Sequence, residues 1–180
     1  MVTMAMLQLN EPRTSTKLKI IHAYVAAAEP ADGRSGMGVV FVDSQGRVLK
    51  RIGRALPDVQ SHDLAAFRGI LYALWNSRRF GVRHVVVHSD TPVVVEQVNG
   101  DREVDDKLVG SYLEVRALLH AYRQARVLAD RSAWGREAAA IAAVALQHNT
   151  DDVVEDDLPL WSGEPAGGPA QHNAARTSTG

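Results

Sequence analysis

Residues 84–97 read HVVVHSDTPVVVEQ: an apolar run, one aspartate, a Thr-Pro step and a second apolar run. The first run is short and almost wholly apolar, the pattern of a strand buried on both faces of a sheet. Thr91-Pro92 then fits a helix start, with Thr as N-cap and Pro at the first helical position, where no backbone N–H is missed. The helix is short, running to about Val98, and Asn99-Gly100 ends it. Asp90 therefore falls where a strand passes into a helix, near free N–H groups that favour a carboxylate.

Upstream, KLKIIHAYVAAA (17–28), GVVFV (38–42) and RVLKRIGRAL (47–56) read as three strands. The last two flank Asp-Ser-Gln-Gly, a hairpin turn with Gly46 suited to a left-handed position. Asp32-Gly33 reads as turn chemistry in the preceding connection. In SHDLAAFRGILYALWNSRRFG, Leu64, Phe67, Leu71 and Leu74 recur at helical spacing, predicting a helix over 63–78. Ser61 or Asp63 caps its start and Gly81 follows its end. Downstream, the stripe Leu108, Tyr112, Val115, Leu119 and Tyr122 predicts a long helix over 107–124. ARVLAD (125–130) reads as a strand and REAAAIAAVALQH (136–148) as a helix of small residues able to pack very closely. The order β-β-β-α-β-α-α-β-α implies a mixed sheet with helices on both faces.

The 180 residues suit one domain, expected at 17–149, between a flexible lead-in (1–16) and an acidic, Gly/Pro/Ala-rich disordered tail (150–180). Without cysteine, disulfides, thiolate metal sites and cysteine nucleophiles are excluded. No apolar stretch nears the roughly 18 residues that span a bilayer, and the N-terminus lacks a signal-peptide pattern, so a cytoplasmic location without membrane contact is expected. The net charge of −1 is uneven: residues 151–180 hold six acids and one base, leaving nineteen bases against fifteen acids, net +4, in residues 1–150. That body permits a polyanionic partner. Leu158, Leu160 and Trp161 form an apolar island in the acidic tail, a candidate contact for the domain itself or for a protein partner.

The element order, with an acid closing the fourth strand, resembles the ribonuclease H type 1 family. GMGVVFVDSQGRVL (36–49) is similar to the family's small-residue approach to strand two and turn into strand three. DLAAFRGILYAL (63–74) is similar to its first-helix motif, and HSDTPVVVEQVNG (88–100) to the Asp-Ser segment after strand four. The resemblance covers about 17–148. It implies an RNase H-like α/β fold with a five-stranded mixed sheet, three antiparallel strands followed by β/α alternation. It also implies cleavage of the RNA strand of an RNA–DNA hybrid by two magnesium ions held between clustered carboxylates. The family supplies four such acids. Here the strand-one acid falls at Tyr24 or Val25, the first-helix acid at Ala66 and the last-helix acid at Ala139; only Asp90 remains as a catalytic and metal-ligating carboxylate.

One carboxylate is too few for two magnesium ions, so no cofactor is expected unless the protein is active, when it would be Mg²⁺. Three functions stay open. The first is a catalytically inactive RNase H-like domain that binds RNA–DNA hybrid or other nucleic acid, or serves as a scaffold. The second is a rewired hybrid nuclease in which Asp90 recruits some of Asp63, Asp130 and Glu137. The third is a protein-interaction module working through the tail or the Ala-rich last helix. Arg78, Arg79 and Arg34 are the candidate nucleic-acid contacts, within a wider set including Arg47, Arg51, Arg54, Arg83, Arg123 and Arg126, because a guanidinium suits phosphate. Glu96 is expected to be solvated, and His62, His88 and His120 have no metal-like mutual spacing.

Overall fold

A computed structural model describes residues 20–148. The expectations for 1–16 and 150–180 lie outside the described residues. Nine elements follow one another: β1 (Ile20–Ala27), β2 (Ser35–Asp43), β3 (Val48–Leu56), α1 (His62–Arg79), β4 (His84–Ser89), α2 (Pro92–Asn99), α3 (Val109–His120), β5 (Gln124–Ala129) and α4 (Ala133–His148). The sheet order is β3-β2-β1-β4-β5. The first three strands are antiparallel, whereas β4 and β5 run parallel to β1. The α/β class and five-stranded mixed sheet inferred from the sequence are what the chain adopts.

Strand periodicity sorts the core into two layers. Val25, Val39, Phe41, Val85 and Val87 face α1–α3 in the main cluster with Phe67, Ile70 and Leu74. Their alternates Ala26, Val40 and Val42 face α4 and meet Ala138 in a smaller cluster. There the backbones nearly touch. A Cβ on Gly38 would overlap the Ala138 carbonyl and lie 2.8 Å from Ala142 N, and one on Gly53 would meet Ile141 Cγ2 at 2.7 Å. Glycines on the sheet and alanines on the helix are thus one packing device.

Three expectations need correcting. β4 is not buried on both faces: Val85, Val87 and Ser89 are buried, but His84, Val86 and His88 are half-exposed. The reason is that α4 packs mainly on β1, β2 and β3, so that among the described residues this face of β4 is only partly covered. The long 107–124 helix is shorter at both ends. Before it, Leu108 N bonds Asp105 O in a turn. After it, Ala121 and Tyr122 make tight bonds back to Leu118 and Leu119, and the Tyr122 hydroxyl donates to the Leu74 carbonyl. Conversely, α4 starts at Ala133 rather than 136, because the Ser132 hydroxyl accepts from Gly135 N (3.3 Å) and caps the earlier turn.

The turns behave as read. Gly46 (φ 79) closes the β2–β3 hairpin, and Asp32 (φ 51) and Gly33 (φ 76) form a tight turn. α1 is capped by Ser61, whose hydroxyl accepts from Leu64 N at 3.3 Å. Asp63 lies in its first turn, and Arg78 and Arg79 in its last, favourable to the helix dipole.

Candidate functional site around Asp90

The parallel pairing of β1 and β4 sets Ser89 opposite Val25, and Asp90 N donates to Val25 O at 3.2 Å. Asp90 is thereby fixed at the C-terminal edge of the sheet, where open α/β folds place their ligand sites. Thr91 stands at the N-cap position of α2, as expected, but its side chain makes no capping bond. Its hydroxyl instead donates to Asp90 Oδ1 at 3.0 Å.

His62, the first residue of α1, reaches the same edge. Its Nε2 lies 3.2 Å from the Ala27 carbonyl oxygen, a bond the ring donates, and 3.8 Å from Glu29. Burial pushes the Asp90 carboxyl above the usual aspartate range. The Thr91 hydroxyl, the nearby His62 and the Ala27 N–H pull the other way without reversing it.

At this end of the sheet, two of the positions that the resemblance assigns to further acids carry apolar side chains. Val25 and Ala66 are fully buried. A Cβ on Gly69, one turn along from Ala66, would meet Val25 Cγ1 at 2.5 Å, so strand and helix are in close contact there. Tyr24, the alternative strand-one position, points to the opposite face and stacks on His88, with ring centroids 4.4 Å apart. Ala139 is also on that face, packed on the small cluster beneath α4. Val25, Ala66 and Asp90 are brought together; Ala139 is not.

Three of the remaining acids are engaged elsewhere. Glu137 Oε1 accepts from Arg51 Nε at 2.6 Å. Asp130 Oδ2 accepts from the Ser132 N–H and hydroxyl at 3.0 and 2.7 Å. Glu96 pairs with Arg102 at 3.3 Å. Asp63 lines a polar cavity between α1 and the 101–108 loop. Among the described residues, no three His, Asp or Glu side chains are grouped so as to hold a metal ion. Magnesium wants several converging anionic oxygens. One acid, one imidazole and two apolar side chains do not fit a magnesium pair. They can hydrogen-bond a ligand at the sheet edge, with the Asp90 carboxyl and the His62 ring as the polar groups.

The candidate arginines do not form one patch. Arg34 sits in the β1–β2 turn, at the Asp90 end of the sheet, and its Nε is buried without a hydrogen-bond partner. Arg78 and Arg79 lie at the far end of α1, about 25 Å along its axis at 1.5 Å per residue. Sequence reasoning missed His62 as a neighbour of Asp90. The signal was present, since His62 and Ala66 are four apart and share a helix face. It also missed the cross-strand stack in which His22 Nδ1 lies 3.0 Å from His88 Nε2 and Tyr24 covers His88.

The model of a family described as reverse transcriptase-like matches residues 24–150. No curated protein matches the chain. Among solved structures, the N-terminal RNase H domain of a Mycobacterium tuberculosis protein is similar at 21% identity and TM-score 0.65, covering 72% of this chain and 95% of that one. RNase H1 of the halophilic archaeon Halobacterium salinarum is similar at 23% identity and TM-score 0.67, covering 72% and 98%. LC11-RNase H1, solved in complex with an RNA/DNA hybrid, is similar at 18% identity and TM-score 0.66, covering 72% and 98%. At these identities the likeness is one of fold.

Proposed function

The chain belongs to the reverse transcriptase-like family, and from that membership we propose that it is an RNase H-like nucleic-acid-binding domain without hybrid-cleaving chemistry. The observation that carries this is the hydrocarbon around Asp90: Val25 and Ala66, buried to 1% and 0% exposure, occupy two of the positions where metal-holding acids are needed. The partner class is an RNA–DNA hybrid or related polyanion, as in the LC11-RNase H1 complex. We place the protein in the cytoplasm. No magnesium is required for this role. Rewired catalysis is disfavoured because Glu137 is engaged by Arg51, and Asp130 by Ser132.

The test uses a labelled RNA–DNA hybrid with Mg²⁺ or Mn²⁺, the full chain, and its Asp90→Asn variant. We expect no cleavage by either and binding that weakens steeply with salt. Replacing Arg78 and Arg79 together by Ser should lower the salt slope by about 1 to 2. Cleavage by the parent chain that disappears in Asp90→Asn would overturn the proposal, as would the absence of binding at low salt.

A further inference from the structure

Between α1 and α3, on the face away from the sheet, runs an apolar groove of about 450 Å³ that no described segment covers. Leu71, Tyr72, Trp75, Ala117 and Leu118 line it with Glu114. Trp75 is 60% exposed, the most open of the large apolar side chains. Basic groups stand at both ends of the α1 stripe: Arg68, whose Nη1 also lies 3.9 Å from Glu114 Oε2, is about one turn before Leu71 and Tyr72, and Arg78 and Arg79 are one turn after Trp75. Arg54 adds a fourth cation at the rim, its guanidinium 5.2 Å from the Tyr72 ring centre. Along α1 the groove therefore reads base, apolar, base.

The sequence beyond α4 contains the complement. Asp156-Asp157 precede Leu158-Pro159-Leu160-Trp161, and Glu164 follows, reading acid, apolar, acid. The lengths agree. Arg68 to Arg79 spans about 16 Å of helix, and Asp157 to Glu164 spans at most about 25 Å when extended. The reach agrees as well. α4 ends at His148, with Leu146 against Gly36 at the β2–β3 end from which the chain runs into α1. Residues 149–156 extend up to about 27 Å, more than two layer spacings of about 10 Å each. A segment arriving there meets Arg68 first and Arg79 last, in the order of its own acids.

We propose that residues 156–164 occupy this groove in their own chain. Leu158, Leu160 and Trp161 cover Leu71, Trp75 and Leu118, while the flanking acids face Arg68, Arg78 and Arg79. The tail would compete with nucleic acid for Arg78 and Arg79, but its seating is read here without any nucleic acid present. It is tested by amide hydrogen exchange of the full chain at low salt, read by mass spectrometry. Peptides within 158–164 should exchange at least tenfold more slowly than in the Trp75→Ser, Trp161→Ser and Arg68→Glu variants, with Val153→Ser leaving them protected. Unchanged exchange in β1 and β4 shows that each variant is folded. Exchange at the unprotected rate in the parent chain overturns the proposal. Protection that grows with protein concentration also overturns it, because a second copy then fills the groove.

Discussion

Replacing Gly38 by Ala should detach α4 from the sheet. The new Cβ would overlap the Ala138 carbonyl and lie 2.8 Å from Ala142 N, whereas ordinary contact begins at 3.4 Å. The helix must therefore retreat by at least about 0.6 Å, and both obstacles are backbone atoms that cannot rotate aside. A gap of that size forfeits about a quarter or more of each dispersion contact, here along the seam of Gly36, Gly38 and Gly53 with Ala138, Ile141 and Ala142. We expect a destabilisation of about 3 kcal/mol, at the upper end for overpacking. In urea, with a slope of about 1–3 kcal/mol per molar, the midpoint should drop by at least about 1 M. Gly46→Ala is the control: that glycine has φ 79 and nothing within 4 Å, so only conformational strain of about 1 kcal/mol arises. If Gly38→Ala proves no worse than Gly46→Ala, the close seating of α4 is refuted.

Asp43 accepts from Gln45 N, Arg47 N and Arg47 Nε at 2.9, 2.9 and 2.7 Å. Burial alone would raise its pKa, but these bonds from Arg47 and Gln45 outweigh it and hold the carboxyl below the usual range. Asp43→Ala should destabilise by about 1–3 kcal/mol at neutral pH; because the folded pKa is depressed, parent and variant melting temperatures should converge as pH falls below about 3.8. Burial, then His22, lowers the His88 pKa, with Asp130 opposing. The unfolded chain thus takes up more protons below pH 6.5, and stability should decline on acidification through that range. His88→Gln should flatten the profile in thermal melts between pH 5 and pH 7. Asp90 has a raised folded pKa, so its ionised form weakens the fold at neutral pH. Asp90→Asn should raise stability in chemical denaturation by roughly 0.5–2 kcal/mol.

Element order was legible because each segment states its own period: Val85–Val87 as a strand, Leu64, Phe67, Leu71 and Leu74 as a helix. The turns at Asp32-Gly33 and Gly46 were legible because few residues tolerate positive φ. Helix ends were read less well, since Ser132 and Asp130 decide the start of α4 through side-chain bonds that leave no periodic trace. The half-open face of β4 was illegible, because Val86 looks the same in sequence whether or not a helix crosses above it. For the site, the sequence shows apolar residues at Val25 and Ala66 and a tyrosine at Tyr24, where the resemblance would put acids. The approach of His62 to Asp90 depends on where α1 begins relative to β1, a tertiary fact.

The hydrocarbon filling beside Asp90 has an evolutionary corollary. A single Val25→Asp or Ala66→Glu change would bury a carboxyl group at a position with 1% or 0% exposure, which costs several kcal/mol unless a cation pairs with it. Each step toward a metal centre is therefore disfavoured until the others, and the ion, are already in place. Descendants of this sequence should drift among apolar residues at 25 and 66 far more freely than they acquire acids there.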